Sequence, residues 1–135
     1  MKILLKIGDV DAEAELLDDV APGAVRALLD VLPLTGGTLL PSCWSGAACE
    51  VDLSRYGYRV PDGEGLVCSL YPGSLAVRPA DATLLISYGT AESRTARGVT
   101  YAVRIGRITQ NRAAALAELA RSHDVGELPL SLRAA

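Results

Sequence analysis

Three observations predict a mainly β fold with two α-helices. Apolar residues come in short runs, several of which alternate with polar residues at the period of a half-buried strand. Only two stretches, at 22–32 and 111–120, repeat apolar residues at helical spacing. Turn-forming clusters such as Gly8-Asp9 and Tyr71-Pro72-Gly73 separate the runs. At 135 residues the chain fits one domain, 1–135, and is long enough to bury a core. Phenylalanine is absent, so Leu, Val, Ile and Ala must build that core, leaving five tyrosines and one tryptophan as local features.

Residues 2–7, KILLKI, put Ile3, Leu5 and Ile7 on one face and Lys2, Leu4 and Lys6 on the other, a half-buried strand. After the Gly8-Asp9 turn, Ala12, Ala14 and Leu16 alternate with Glu13 and Glu15, so an antiparallel hairpin sets acids opposite lysines. Ala21-Pro22 opens a helix, because the missing proline N–H is no loss in a first turn, and Asp18 and Asp19 suit the positive end of its dipole. Val25, Leu28, Leu29 and Leu32 form its apolar stripe, and Pro33 stops it.

Residues 38–44 read as the next strand, with Trp44 on the face of Ser42 and Leu40 and with Cys43 opposite. Beyond the Ser45-Gly46 break, Cys49, Val51 and Leu53 alternate with Ala48, Glu50 and Asp52. Residues 54–65 form a long loop of a kind that commonly carries binding function. Short strands at 66–70 and 74–77 flank Tyr71-Pro72-Gly73, and 83–88, apolar on both parities in its middle, reads as a central strand. A second polar loop at 89–98 holds Glu92, Arg94 and Arg97. Tyr101, Val103 and Ile105 alternate up to Gly106, where a bulge returns Ile108 to the core. Asn111 caps a second helix with a stripe of Ala113, Leu116, Ala117 and Ala120, closing one end of the structure, and 128–132 reads as an edge strand.

Thirteen basic against sixteen acidic residues give a net charge of −3, and the arginines scatter through the second half, which speaks against a nucleic-acid partner. Apolar runs of about four to eight residues fall short of the roughly 20 a membrane helix needs, so no membrane partner is expected. Lys6, Gly8 and Asp9 interrupt the opening MKILLKIGDV before it reaches a signal-peptide core. Three cysteines fit reduced thiols and a cytoplasmic location better than a disulfide framework. Cys43 and Cys49 lack the close pairing of a zinc knuckle and only His123 is left to join them, so neither a metal nor another cofactor is expected.

Site readings centre on residues 41–53, PSCWSGAACEVDL, where the lone Trp44 stands beside a sharp bend as one wall of a pocket. The expected ligand-binding set is Trp44, Ser45, Tyr56, Tyr58, Tyr88, Arg94 and Arg104: aromatic walls with arginines able to clamp a carboxylate or an amide. No motif fixes a catalytic group. Glu50 and Asp52 share a face, the geometry of a carboxyl pair for acid/base work, but the same alternation describes any solvated strand face, which is the preferred reading. Cys49 and Cys68 fall on apolar parities and read as inert buried thiols, and His123 as a solvated residue in the last helical turn.

The order Ala21-Pro22, Leu32-Pro33, Trp44-Ser45-Gly46, Tyr71-Pro72-Gly73, Tyr88-Gly89 and Arg104-Ile105 resembles the small bacterial cyclophilin-like proteins of uncharacterised function, over nearly the whole chain. The resemblance implies a closed, mostly antiparallel β-barrel with helices capping its ends, and no particular reaction. Where that pattern places acids after Trp-Ser-Gly, this chain has Ala47 and Ala48, so chemistry done by those acids would be lost or moved to Glu50. Neither the Phe-His-Arg stretch nor the phenylalanine pocket walls of prolyl isomerases are present, which makes peptidyl-prolyl cis/trans isomerisation the least favoured activity. Two readings stay open: an enzyme acting on a small polar metabolite that bears an amide or acid, or a non-catalytic binding or assembly module, possible as a homo-oligomer.

Overall fold

The computed structural model describes residues 1–61 and 64–135; the predicted loop at 54–65 includes residues 62 and 63, which lie outside the described residues. In chain order the elements are β1 (Lys2–Ile7), β2 (Val10–Leu16), α1 (Pro22–Val31), β3 (Leu34–Pro41) and β4 (Gly46–Asp52), then a 3-10 turn (Leu53–Tyr56). β5 (Leu66–Val67), β6 (Ser69–Leu70), β7 (Ser74–Arg78), β8 (Thr83–Glu92), β9 (Arg94–Thr95) and β10 (Gly98–Val99) follow. β11 (Ala102–Gln110), α2 (Arg112–Val125) and β12 (Leu128–Ala134) complete the chain.

The strands β2-β1-β12-β3-β4-β8-β7-β11 form a ladder in that order, and β11 pairs back onto β2. Every pairing is antiparallel, so eight strands close into a barrel and leave none of those strands as an edge. β5 and β6 attach to β11 and β8, while β9 and β10 make a separate ribbon.

The barrel interior is the main core: Ile3, Leu5 and Ile7 meet Leu39, Cys49, Val51, Leu84, Ile86, Val103, Ile105 and Ile108, with Ala24, Val25 and Leu28 of α1 and Ala115 and Leu119 of α2 joining them. A second, smaller core lies on the outward face of β4, β8, β7 and β11, where Ala48, Leu85, Ala76 and Ala102 are covered by Leu70 and Val67. That second layer explains why β7 is buried throughout. Among the described residues no helix is long and apolar enough to cross a membrane.

Several expectations are met. The first hairpin pairs Lys2 with Glu15 and Lys6 with Asp11, and Lys2 bridges Glu13 at 3.1 Å. Pro22 sits in the first turn of α1. β8 is central, and a register shift between Arg104 and Gly106 is the bulge that keeps Ile108 inside.

Others are corrected. The strand placed at 38–44 runs from Leu34 to Pro41. It stops there because the Ser42 hydroxyl captures the Ser45 N–H at 3.0 Å and folds 42–45 into a turn, which also removes Trp44 from any strand face. The loop predicted at 89–98 is mostly the end of β8 and the β9–β10 ribbon. β12 is no edge: Leu128, Leu130 and Leu132 are buried between β1 and β3. Tyr101 is exposed and precedes β11. In α2 the buried face is Ala115, Leu119 and Ser122, because alanines on every side of the helix blur the stripe that larger residues would mark. Asn111 does cap that helix, but its amide donates to the Asp11 carbonyl at 2.8 Å instead of serving the helix. Asp18 and Asp19 do not enter the first turn of α1, where the Glu64 carboxylate accepts from the N–H groups of Gly23 and Ala24, both at 2.9 Å.

Candidate functional site

β3 and β4 pair only at Leu40–Glu50 and Pro41–Cys49. Past these pairs β3 bulges against β12 around Gly36, whose φ of +68° suits glycine, and β4 gives way to the 3-10 turn at Leu53. The strands therefore part, and an outward groove of about 410 Å³ opens between them. Its floor is Thr38, Leu40, Glu50, Asp52 and Thr83, with Arg55 and Tyr56 on one wall and Glu127 from the α2–β12 connection on another.

Local chemistry holds this wall in place. Asp52 accepts from the Ser54 N–H at 3.0 Å and caps the turn, while Arg55 lies 3.8 Å from the other Asp52 oxygen. The Tyr56 hydroxyl leans over β3 to within 3.6 Å of where a Cβ on Gly37 would stand; that position has no room for one, since Leu34 Cδ2 would be 2.7 Å away. The crowding comes from Leu34 and from the Leu130 carbonyl at 3.1 Å, while the Tyr56 hydroxyl is at an ordinary contact distance.

Behind the groove, Arg78 is only 4% exposed and every edge of its guanidinium is used. It donates to both Asp81 oxygens at 3.0 and 2.8 Å, to Glu50 Oε1 at 2.8 Å and to the Arg94 carbonyl at 2.7 Å. Burial pulls the guanidinium pKa down, but Asp81 and Glu50 outweigh it and leave it above the ordinary arginine value. Burial likewise pushes the Asp81 carboxyl up, and Arg78 outweighs that to hold it below its ordinary value. One Glu50 oxygen is committed to Arg78, so the carboxylate is oriented on the groove floor.

The seven sequence-predicted residues do not converge on one place. Tyr56 lines the groove. Ser45 is buried and ties the 42–45 turn to β9, its hydroxyl accepting from the Arg94 N–H at 3.2 Å. The Arg94 side chain pairs with Glu92 at 2.6 Å in the open. Trp44 is 57% exposed and lies outside the β3–β4 groove. Tyr58 is a core residue whose hydroxyl donates to the Ala24 carbonyl of α1 at 3.2 Å; burial first, and then Glu64, push its pKa up to about 12. Tyr88 hydrogen-bonds His123, edge-on with ring centroids 5.7 Å apart, which fastens α2 to β8. Arg104 stands half-buried on β11.

Cys49 is inside the barrel, its thiol beside the Ser122 hydroxyl at 3.2 Å, and burial raises its pKa. Among the described residues no three His, Cys, Asp or Glu side chains gather as a metal-binding group. Sequence reasoning missed Arg78, Asp81 and Glu127. The signal for Arg78 was a charge ending the apolar run of β7, a cost that only partners can offset.

No family model and no curated protein matches the chain. Solved structures do. The hypothetical protein AF2241 from Archaeoglobus fulgidus is similar over 100% of this chain and 95% of its own, with a TM-score of 0.70 and 17% identity. McbB, solved in complex with tryptophan, is similar over 98% of this chain with a TM-score of 0.73 and 16% identity, and this chain spans 44% of McbB. At such identities the similarity is one of fold, and with the closed ladder it makes the chain a mainly antiparallel eight-stranded β-barrel with two helices.

Proposed function

We propose that this chain is a cyclophilin-like barrel that binds a small polar molecule bearing amide or carboxylate groups, and that the groove between β3 and β4 is where it binds. The observation that carries the reading is the groove itself: an opening of fragment size that sets the apolar Leu40 beside a phenol and a guanidinium from the 3-10 turn, two carboxylates from β4 and a third from the α2–β12 connection. Glu50, Asp52 and Glu127 offer acceptors for ammonium or amide N–H groups. Arg55 and the Tyr56 hydroxyl offer donors for a carboxylate or carbonyl. The order of sequence segments and the barrel with its two helices support the cyclophilin-like assignment. McbB is a barrel neighbour known with tryptophan, a molecule carrying both ammonium and carboxylate, so free amino acids and their amides are the first ligands to try.

Calorimetric titration with such a panel tests this. At least one member should bind wild type, with affinity lowered several-fold in Tyr56→Phe and Arg55→Gln. Binding unaffected by both substitutions would move the site elsewhere.

A further inference from the structure

We propose that a hollow on the outer face of β1, β2 and β12 is a second, separate binding site, one that takes a small phosphate monoester. The alternation that fills the barrel also builds this site. Ile3, Leu5 and Ile7, Ala12 and Ala14, and Leu130 and Leu132 belong to the core, so Leu4, Lys6, Asp11, Ser131 and Arg133 face outward. The register sets them side by side: Lys6 stands across the ladder from Ser131 on one side and from Asp11 on the other, and Leu4 stands across from Arg133. Lys6 and Arg133 are therefore diagonal neighbours, within reach of one another for side chains of their length. The short Ser131 lies between them, and these five residues line a hollow of about 430 Å³, a volume suited to a small ligand.

The charge of this hollow is the reverse of the groove's. Lys6 and Arg133 outnumber Asp11 here, whereas Glu50, Asp52 and Glu127 outnumber Arg55 between β3 and β4. On a chain of net charge −3, an anion is drawn to the hollow more than to the groove. Lys2 is matched with Glu13 and Arg107 with Glu15, both at 3.1 Å, while Lys6 and Arg133 form no ion pair among the described residues. Both side chains are exposed, so an anion reaches them by displacing only water. Arg133 supplies a planar fork, Lys6 a point charge and Ser131 a hydroxyl donor. Three donors of different geometry suit the three terminal oxygens of a phosphate monoester better than the two of a carboxylate. Asp11 adds an acceptor for a hydroxyl on the remainder of the ester, and Leu4 an apolar contact. No residue of the hollow lines the groove, so the two proposals stand or fall separately.

Backbone amide shifts test this, followed while sodium phosphate, glycerol 3-phosphate or sodium acetate is titrated at constant pH and ionic strength. Both phosphates should give saturating shifts centred on Leu4, Lys6, Ser131 and Arg133. Glycerol 3-phosphate should bind more tightly than inorganic phosphate, and acetate several-fold more weakly than either. Lys6→Gln and Arg133→Gln should each weaken glycerol 3-phosphate several-fold, whereas Lys2→Gln, which removes the same charge from β1 outside the hollow, should leave its affinity nearly unchanged. No saturating shift in wild type, acetate binding as well as the phosphates, inorganic phosphate binding as well as the ester, or a loss in Lys2→Gln equal to those in Lys6→Gln and Arg133→Gln would each overturn the proposal. The first three are read on wild type alone, so they decide the matter even where a substitution disturbs the fold.

Discussion

Arg78 binds four structural pieces with one side chain: β4 through Glu50, its own strand β7, the following turn through Asp81, and the β9 ribbon through the Arg94 carbonyl. Breaking a buried pair strands the partner charges, so Arg78→Ala should cost about 3 kcal/mol in urea unfolding, the low end for such losses because Asp81 still reaches water. The acid limb has a definite sign. Asp81 has a folded pKa below its ordinary 3.8, so its contribution is complete above that value and disappears as the pH falls through the lower, folded one. Asp81→Asn should therefore flatten the loss of stability below about pH 4. Tyr58 governs the alkaline side. Its pKa, raised from 10.0 to about 12, gives stability that is full below pH 10 and is lost as pH rises toward 12. Tyr58→Phe should remove that limb and cost about 1 kcal/mol at neutral pH for the lost bond to Ala24; a wild-type alkaline limb in the variant would show the proton belongs elsewhere.

Among the elements, α1 depends on a residue far away in sequence. Ala21 at the N-cap has no side chain to cap with, so the Glu64 carboxylate accepts from the first-turn N–H groups instead, and a Cβ at Gly23 would come within 2.8 Å of it. Removing the cap with Glu64→Ala should cost about 1 kcal/mol. Ala is the better helix former by up to about 1 kcal/mol, yet Gly23→Ala must displace that carboxylate. The substitution should thus be more favourable in the Glu64→Ala background than in wild type by about 0.5–1 kcal/mol, a coupling that a double-mutant cycle in urea measures directly. Additive effects would mean that Glu64 does not hold α1.

For the molecule as a whole, what could be read from sequence depended on whether each strand's neighbours mattered. β1, β2 and the inner face of β4 show alternation that survives any topology, and Cys49 followed from that parity. β12 reads as an edge because its leucines do not reveal that β1 and β3 pair on both sides of it. The site was harder. Tyr56 was expected, and Glu50 with Asp52 was seen as a shared face, but nothing local shows that β3 and β4 part beside them. The groove is made by a bulge, a 3-10 turn and Glu127, which is more than 70 residues from Asp52. Trp44 drew attention through its rarity, a property of composition and not of place.

The groove can be tested by mapping backbone amide shifts while titrating a fragment set of small amides, carboxylates and amino acids, tryptophan included. Shifts centred on Thr38, Leu40, Glu50, Asp52, Tyr56, Thr83 and Glu127 are expected from at least one of the amides, carboxylates or amino acids. Shifts centred instead on Trp44, Ser45 and Arg94, or on the concavity at Lys6, Ser131 and Arg133, or none from any fragment, would contradict binding between β3 and β4.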